Sequence, residues 1–200
     1  MSYDNGSPAA PDELAASWPR SAADYTVLLV DEPAPHVRRL TLNRPEKRNA
    51  LNHALRDIDP AKVRVHICWG NYEGPHVCDI DMDKVFPTLM RTRARYVLFE
   101  TSNPRHAHEW TVFRDRASEI PDDKVLVPGV VDTTTNFVEH PELVAQRIAR
   151  FVDIVGADRV IAGSDCGFGT FAGFGAVDPD IAYAKLATLA EGAALASGRL

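Results

Sequence analysis

The sequence predicts an α/β protein built as part of a (β/α)8 TIM barrel, about four strand–helix units long, with a short β-hairpin-like segment before it. Two observations carry this. From residue 61 onward, short apolar runs alternate with longer amphipathic stretches, a pattern that gives a parallel sheet with helical crossovers. The polar residues able to do chemistry then fall at the carboxyl ends of the short runs, where parallel α/β folds collect their sites.

Residues 1–24 are rich in Ala, Pro, Ser and Asp and are expected to form a disordered arm. Runs at 25–30 and 36–42 have strand character, with a turn at Asp31-Glu32-Pro33-Ala34-Pro35. Residues 63–68 predict a strand ending in His66-Ile67-Cys68. Residues 81–93 have helical spacing (Met82, Val85, Phe86, Leu89, Met90) despite Pro87. A strand at 96–99 leads into Glu100, a helix is expected over 104–117, and 125–131 is a strand interrupted by Pro128-Gly129. The helix over 141–155 is the clearest, stopped by Gly156. A strand at 159–163 runs into Ser164-Asp165-Cys166, and an Ala/Leu-rich helix spans 179–197. A complete barrel takes about 250 residues, so four units amount to half of one. The open sheet edges of a half-barrel favour self-association.

Composition narrows the function. Hydrophobic residues make up 45% and charged residues 25% of the 200, with a formal charge of −6. That balance offers nothing to nucleic acid or an anionic membrane. No apolar run approaches the roughly 20 residues of a spanning helix, and no apolar signal core opens the chain, so the expected location is cytoplasmic. Three cysteines, Cys68, Cys78 and Cys166, do not make a disulfide framework; in a reducing compartment, spaced cysteines point to metal or catalysis.

His66 and Cys68, two apart on a strand, face one side and can bind one metal together. Cys166 and Glu100 can reach it from other strand ends. Two thiolates, an imidazole and a carboxylate form a borderline-soft set suited to zinc. The spacing leaves Glu100 open as a ligand. Zinc would deprotonate a thiol substrate whose free pKa is about 8.5 and ready it for transfer of a methyl or alkyl group. Asp165 is expected to orient a ligand or hold substrate, and Asp132, after the third strand, is a further catalytic candidate. His106 and His108 imitate a second metal pair, but at a helix start i and i+2 diverge, so substrate-pocket or surface polarity is expected of them. His76 and Cys78 sit in a Gly-Pro loop and are not expected to reach the metal. Gly167-Phe168-Gly169-Thr170-Phe171-Ala172-Gly173 lacks dinucleotide spacing and is expected to form a loop over the zinc.

Four stretches carry a resemblance: His66-Ile67-Cys68-Trp69-Gly70-Asn71, Phe99-Glu100-Thr101-Ser102-Asn103, Val127-Pro128-Gly129-Val130-Val131-Asp132 and Gly163-Ser164-Asp165-Cys166-Gly167. In this order they make residues 61–200 similar to the C-terminal part of the barrel of cobalamin-independent methionine synthases and the related epoxyalkane–coenzyme M transferases. The resemblance implies His66, Cys68, Glu100 and Cys166 as zinc ligands, a small-molecule thiol acceptor and a methyl or alkyl donor. It also implies a histidine shortly after the Gly-Val-x-Asp segment, where this chain has Thr134. That departure shifts the expected acceptor from homocysteine in particular to some thiol. Residues 25–56, through Leu40-Thr41-Leu42-Asn43-Arg44-Pro45 and Lys47-Arg48-Asn49-Ala50-Leu51-Asn52, instead resemble the start of an enoyl-CoA hydratase (crotonase) without its later catalytic elements. The alternatives to transfer are therefore a crotonase-type acyl-CoA-binding fragment, or an inactive zinc-binding remnant of a fused or truncated reading frame.

Overall fold

Every strand from residue 64 onward pairs parallel with the next one in sequence, and this simple order sets the architecture. The computed structural model describes residues 28–34, 37–42, 57–71, 74, 76–169 and 177–199. The expected arm 1–24, the stretch 43–56 with Lys47, and most of the expected loop over the metal lie outside them. The chain divides into two compact units, Met1–Arg56 and Asp57–Leu200.

In the first unit, β1 (Leu28–Ala34) and β2 (Val37–Leu42) pair antiparallel from Leu28↔Leu42 to Ala34↔Val37, with an irregularity between Asp31 and Ala34. The strand thus continues through most of the stretch expected to be a turn. The irregularity accommodates Pro33, which has no N–H for a ladder.

The second unit contains β3 (Arg64–Ile67), β4 (Tyr96–Phe99), β5 (Val125–Val131) and β6 (Gly163–Ser164), side by side in that order and all parallel. Between and after them lie α1 (Met82–Met90), α2 (Trp110–Asp115), α3 (Pro141–Val155) and α4 (Pro179–Ser197). This is the partial TIM barrel the alternation predicts. No helix among the described residues is long and apolar enough to cross a membrane.

The strands bury one face under the helices. Val97 and Phe99 of β4 and Leu126 of β5 pack with Met82, Phe86 and Leu89 of α1, Phe113 of α2 and Phe151 of α3. Phe113 is the hub, stacked on Phe99 with ring centroids 4.3 Å apart and edge-on to Phe86 and Phe151. A second cluster joins Val130 and Val131 of β5 to Val144, Ala145 and Ile148 of α3 and Ala196 of α4. All seven β5 residues are buried, as for an inner parallel strand covered on both faces. α4 lies close on α3 because Gly192 has no side chain: a Cβ there would fall 2.4 Å from Val144 Cγ1. On the other face of β3, Arg64 and His66 are exposed, with the Arg64 guanidinium 5.1 Å from the Tyr96 ring centre.

Three elements are shorter than the apolar pattern suggests. α1 tolerates Pro87 because the Asp83 carbonyl, four residues earlier and denied the Pro87 N–H, accepts from Arg116 Nη1 at 3.1 Å. The helix expected over 104–117 regularises only at Trp110. The residues before it form successive turns, with the His106 and Ala107 amides on the Asn103 carbonyl and the Glu109 amide on that of His106. The fourth strand is displaced: Ala157–Arg159 is a 3-10 turn, Val160 makes a single bridge to Leu126, and regular pairing resumes at Gly163.

Candidate metal centre

Strand alternation puts Cys68 and Glu100 one pleat beyond His66 and Leu98, which are register partners. The ligating atoms of His66, Cys68 and Cys166 all lie within 4.8 Å of one another. Cys166 Sγ is 3.4 Å from His66 Nε2 and donates to Glu100 Oε1 at 3.1 Å. The structure therefore brings together His66, Cys68 and Cys166, and Glu100 joins them through its contact with Cys166. Tetrahedral zinc with these donors needs ligand atoms about 3.3–3.8 Å apart, and the Cys166–His66 separation of 3.4 Å falls in that range.

Two further observations test whether a cation fits. Glu100 is 2% exposed, and its Oε2 is buried without a hydrogen-bond partner, an arrangement that costs free energy unless something positive meets it. Burial, followed by the Glu100 carboxylate and then Cys68, pushes the Cys166 thiol well above its ordinary range. Two thiols and a carboxylate converge here with no lysine or arginine among their described contacts, a donor set whose chemistry fits a divalent ion. His66 and Cys68 are exposed while Glu100 is buried, so one side of the cluster is open to an incoming molecule.

The Asp165 carboxylate does not point into this opening. Its Oδ1 accepts from Thr101 N and Ser102 N, both at 2.9 Å, and its Oδ2 from Asn103 N at 2.7 Å. Burial pushes its carboxyl up to about 7, against the pull of these three amides. Thr101 Oγ1 and Ser102 Oγ both donate to the Gly129 carbonyl, at 2.7 and 2.9 Å. Gly129 is required here, since a Cβ would lie 2.1 Å from Asp165 Oδ1 and 2.6 Å from its Cα. The amides of 101–103 are thus spent on Asp165.

Asp132 is likewise turned inward. It accepts from Thr134 N at 3.2 Å and from Thr134 Oγ1 at 3.0 Å, and no described contact joins it to the ligand cluster. Burial opposes its charge, but the hydroxyls of Thr135 and Thr134, the Thr134 amide and the nearby Lys185 hold its pKa below the ordinary value. Its own N–H donates to Glu139 Oε1 at 2.7 Å, and Glu139 Oε2 accepts from the fully buried Lys185 at 3.0 Å.

The remaining histidines form a separate network. His106 is buried, stacked on Trp69 at 3.9 Å, and placed between Glu109 (Nδ1, 2.8 Å) and Asp79 (Nε2, 3.2 Å). Asp79 also meets His76 at 3.1 Å and Arg105 at 2.8 Å. Burial opposes its charge, and the hydrogen bonds from His76 and His106, with Arg105 beside it, keep its pKa low. Glu109 Oε1 caps α1 by accepting Met82 N at 2.7 Å. His108 is exposed, so the two rings of His-x-His diverge as expected, but His106 is an anchor for the Trp69 that follows Cys68 and not a surface group. These residues border a cleft of about 210 Å³. The sequence reading also missed Asn71, whose side chain donates to the Gly167 carbonyl at 2.5 Å and accepts from Thr133 Oγ1 at 2.8 Å. It links three of the strand ends around the cluster.

The profile of the cobalamin-independent synthase catalytic domain matches residues 20–180. The chain belongs to this family. Among its relatives, the 2-hydroxypropyl-CoM lyase of Xanthobacter autotrophicus is 26% identical over 141 residues, 59% of this chain and 38% of that protein. A methionine synthase of Saccharolobus solfataricus is 27% identical over 172 residues, 85% of this chain and 44% of that protein. The chain spans about two fifths of the length of these relatives. A B12-independent methionine synthase from a Shewanella species, solved in complex with selenomethionine, shares the fold with a TM-score of 0.55 at 21% identity, over 74% of this chain and 42% of that one. The cobalamin-independent synthase match begins at residue 20 and so runs across the segment that resembles a crotonase, a resemblance that finds no support in these comparisons.

Proposed function

We propose that this chain carries a zinc site that activates a small thiol for methyl or alkyl transfer, with His66, Cys68, Glu100 and Cys166 as the protein ligands. The observation that carries the reading is the convergence of these donors beside a buried, unpartnered Glu100 oxygen. Zinc bound there would lower the pKa of a coordinated thiol and keep its sulfur nucleophilic at neutral pH. His66 and Cys68 approach from the open side and Cys166 and Glu100 from the buried side. Glu100, the hardest donor of the set, is the one to give way to an incoming sulfur. Trp69, fixed by its hydrogen bond to Ile80 O at 2.6 Å and by stacking on His106, holds the chain directly after Cys68. Asn71 ties the same loop to those after β5 and β6. The acceptor is a thiol and the donor carries a transferable methyl or alkyl carbon; Thr134, bonded to Asp132, offers no titratable group for a proton step. Thiolate ligands need reducing conditions, which suits a cytoplasmic location.

Purified protein should hold about one zinc per chain, as a site of this type implies, and Cys166→Ser should remove it. A panel of homocysteine and coenzyme M with methyl and epoxyalkane donors then reads the transfer. Full zinc content in Cys166→Ser would refute the ligand assignment, and zinc binding without alkylation of any thiol would leave a metal site and no transferase.

A further inference from the structure

Thr101, Ser102 and Asn103 directly follow Glu100, and all three of their backbone N–H groups point at the Asp165 carboxylate, at 2.7–2.9 Å. A run of consecutive N–H groups is an anion-binding concavity. Two carboxylates stand next to it. Short acidic side chains bond readily to amides just after them in the chain; Glu100, one methylene longer, is the acidic group nearest these amides in sequence and so the local competitor. Asp165 holds all three amides, and Glu100 is left with Oε1 on the Cys166 thiol and Oε2 buried without a partner. The arrangement is built: Gly129 leaves the space that Asp165 fills, and its carbonyl takes the hydroxyls of Thr101 and Ser102. Arg147 Nη1 in turn donates to Ser102 Oγ at 3.0 Å and to Val130 O at 2.9 Å.

We propose that Asp165 is a positioning residue: by occupying the three amides after Glu100, it denies them to the Glu100 carboxylate and keeps that carboxylate turned to the metal cluster. This rests on the zinc reading above. It also separates two roles for Asp165. If it merely fastened β6 to β4, its loss would weaken metal binding whether or not Glu100 were present. If it acts through Glu100, its loss should have no effect once Glu100 is gone.

The test is a double-mutant cycle on the full chain. Zinc affinity is measured by chelator competition for wild type, Asp165→Asn, Glu100→Ala and the double variant. The visible spectrum of the cobalt(II)-loaded proteins and the melting midpoint of each metal-free protein are recorded alongside. Asn can accept from two amides but presents a donor to the third, so Asp165→Asn should lower zinc affinity about 10–100-fold, the usual effect of losing a group that orients a ligand. Its cobalt spectrum should move toward that of Glu100→Ala, and the double variant should bind no more weakly than Glu100→Ala alone. Additive losses in the double variant, or an Asp165→Asn affinity within threefold of wild type, would overturn the proposal while leaving the zinc site standing. A wild type that binds no zinc would remove both. Should Asp165→Asn fail to fold, Asp165→Glu carries the same cycle, since it keeps the charge but offsets the acceptors by one methylene.

Discussion

Gly129→Ala adds one methyl group to a strand and should cost this protein much of its stability. The added Cβ would stand 2.1 Å from Asp165 Oδ1, 2.6 Å from Asp165 Cα and 2.7 Å from Asp165 N. Two of those three atoms are backbone, so rotation of a side chain cannot relieve the contact. Ordinary overpacking of a core costs about 1–3 kcal/mol. Here the displacement, on the order of 1 Å to restore normal contact, also breaks hydrogen bonds. Three amide donors meet the Asp165 carboxylate, and a hydrogen bond to a charged group contributes about 1.5–3 kcal/mol. Losing one or two of them brings the expected cost to at least about 3 kcal/mol, against a typical total of about 5–15 kcal/mol. Urea unfolding of the metal-free proteins, followed by circular dichroism, reads the difference directly. Zinc affinity should fall with it in whatever fraction remains folded, because Asp165 and Cys166 move together. A Gly129→Ala protein within about 1 kcal/mol of wild type would mean that the β5–β6 contact is soft, and the account of the Asp165 clamp would fail with it.

Lys185 is fully buried against Glu139, and breaking such a pair from one side typically costs about 3–5 kcal/mol. Lys185→Met should fall at the low end, near 3 kcal/mol in urea melts, since Glu139 keeps the Asp132 N–H; a neutral result would show that Arg147, at 3.9 Å, already balances the charge. For Asp132 the folded pKa lies below the ordinary 3.8, so its contribution is present above 3.8 and is lost as the pH falls below it. Asp132→Asn should therefore be less stable at neutral pH and show a shallower loss of stability below pH 3.8, whereas parallel acid curves for the two proteins would contradict the assignment. Among the described residues the four-stranded sheet ends on β3 and β6 with no further strand paired to either. Sedimentation velocity across a concentration series is expected to show self-association through such edges, and a concentration-independent monomer would rule it out.

The candidate ligands were legible in the sequence because their placement follows local rules, with Glu100 singled out by the family resemblance. His66 and Cys68 are two apart on a strand, Glu100 and Cys166 close later strands, and parallel topology then brings strand ends together without any knowledge of packing. The same periodicity placed α3 to the residue, since its apolar face and flanking Gly156 agree. Where the reading slipped, a long-range partner had overridden a local preference. Residues 104–109 have the composition of a helix but form turns, and the His106 and Glu109 side chains there are held by long-range contacts to Asp79 and to the start of α1. Pro33 looked like a turn and is carried within an irregular strand. Pro87, by contrast, lies inside the helix as the apolar spacing predicts, and it is tolerated because Arg116, 29 residues later in the sequence, reaches the carbonyl that it leaves open.

Asp165 shows the difference between a residue that is next to the candidate ligands and one that is turned toward them. Its neighbour Cys166 and its acidic side chain made a catalytic assignment natural from sequence. Both of its oxygens are committed to amides, so it has little capacity left to hold a substrate or take a proton at the open side of the cluster. The residue with that capacity is Glu100, whose second oxygen is buried and unpartnered. A buried carboxylate oxygen in that state persists only where the surroundings hold it there. The surroundings are identifiable: the Asp165 carboxylate, the Gly129 carbonyl and the two hydroxyls that fix the turn after β4. The only trace of them in the sequence is a glycine within an otherwise apolar strand, at Pro128-Gly129, and its meaning depends on a contact 36 residues away that strand periodicity does not encode.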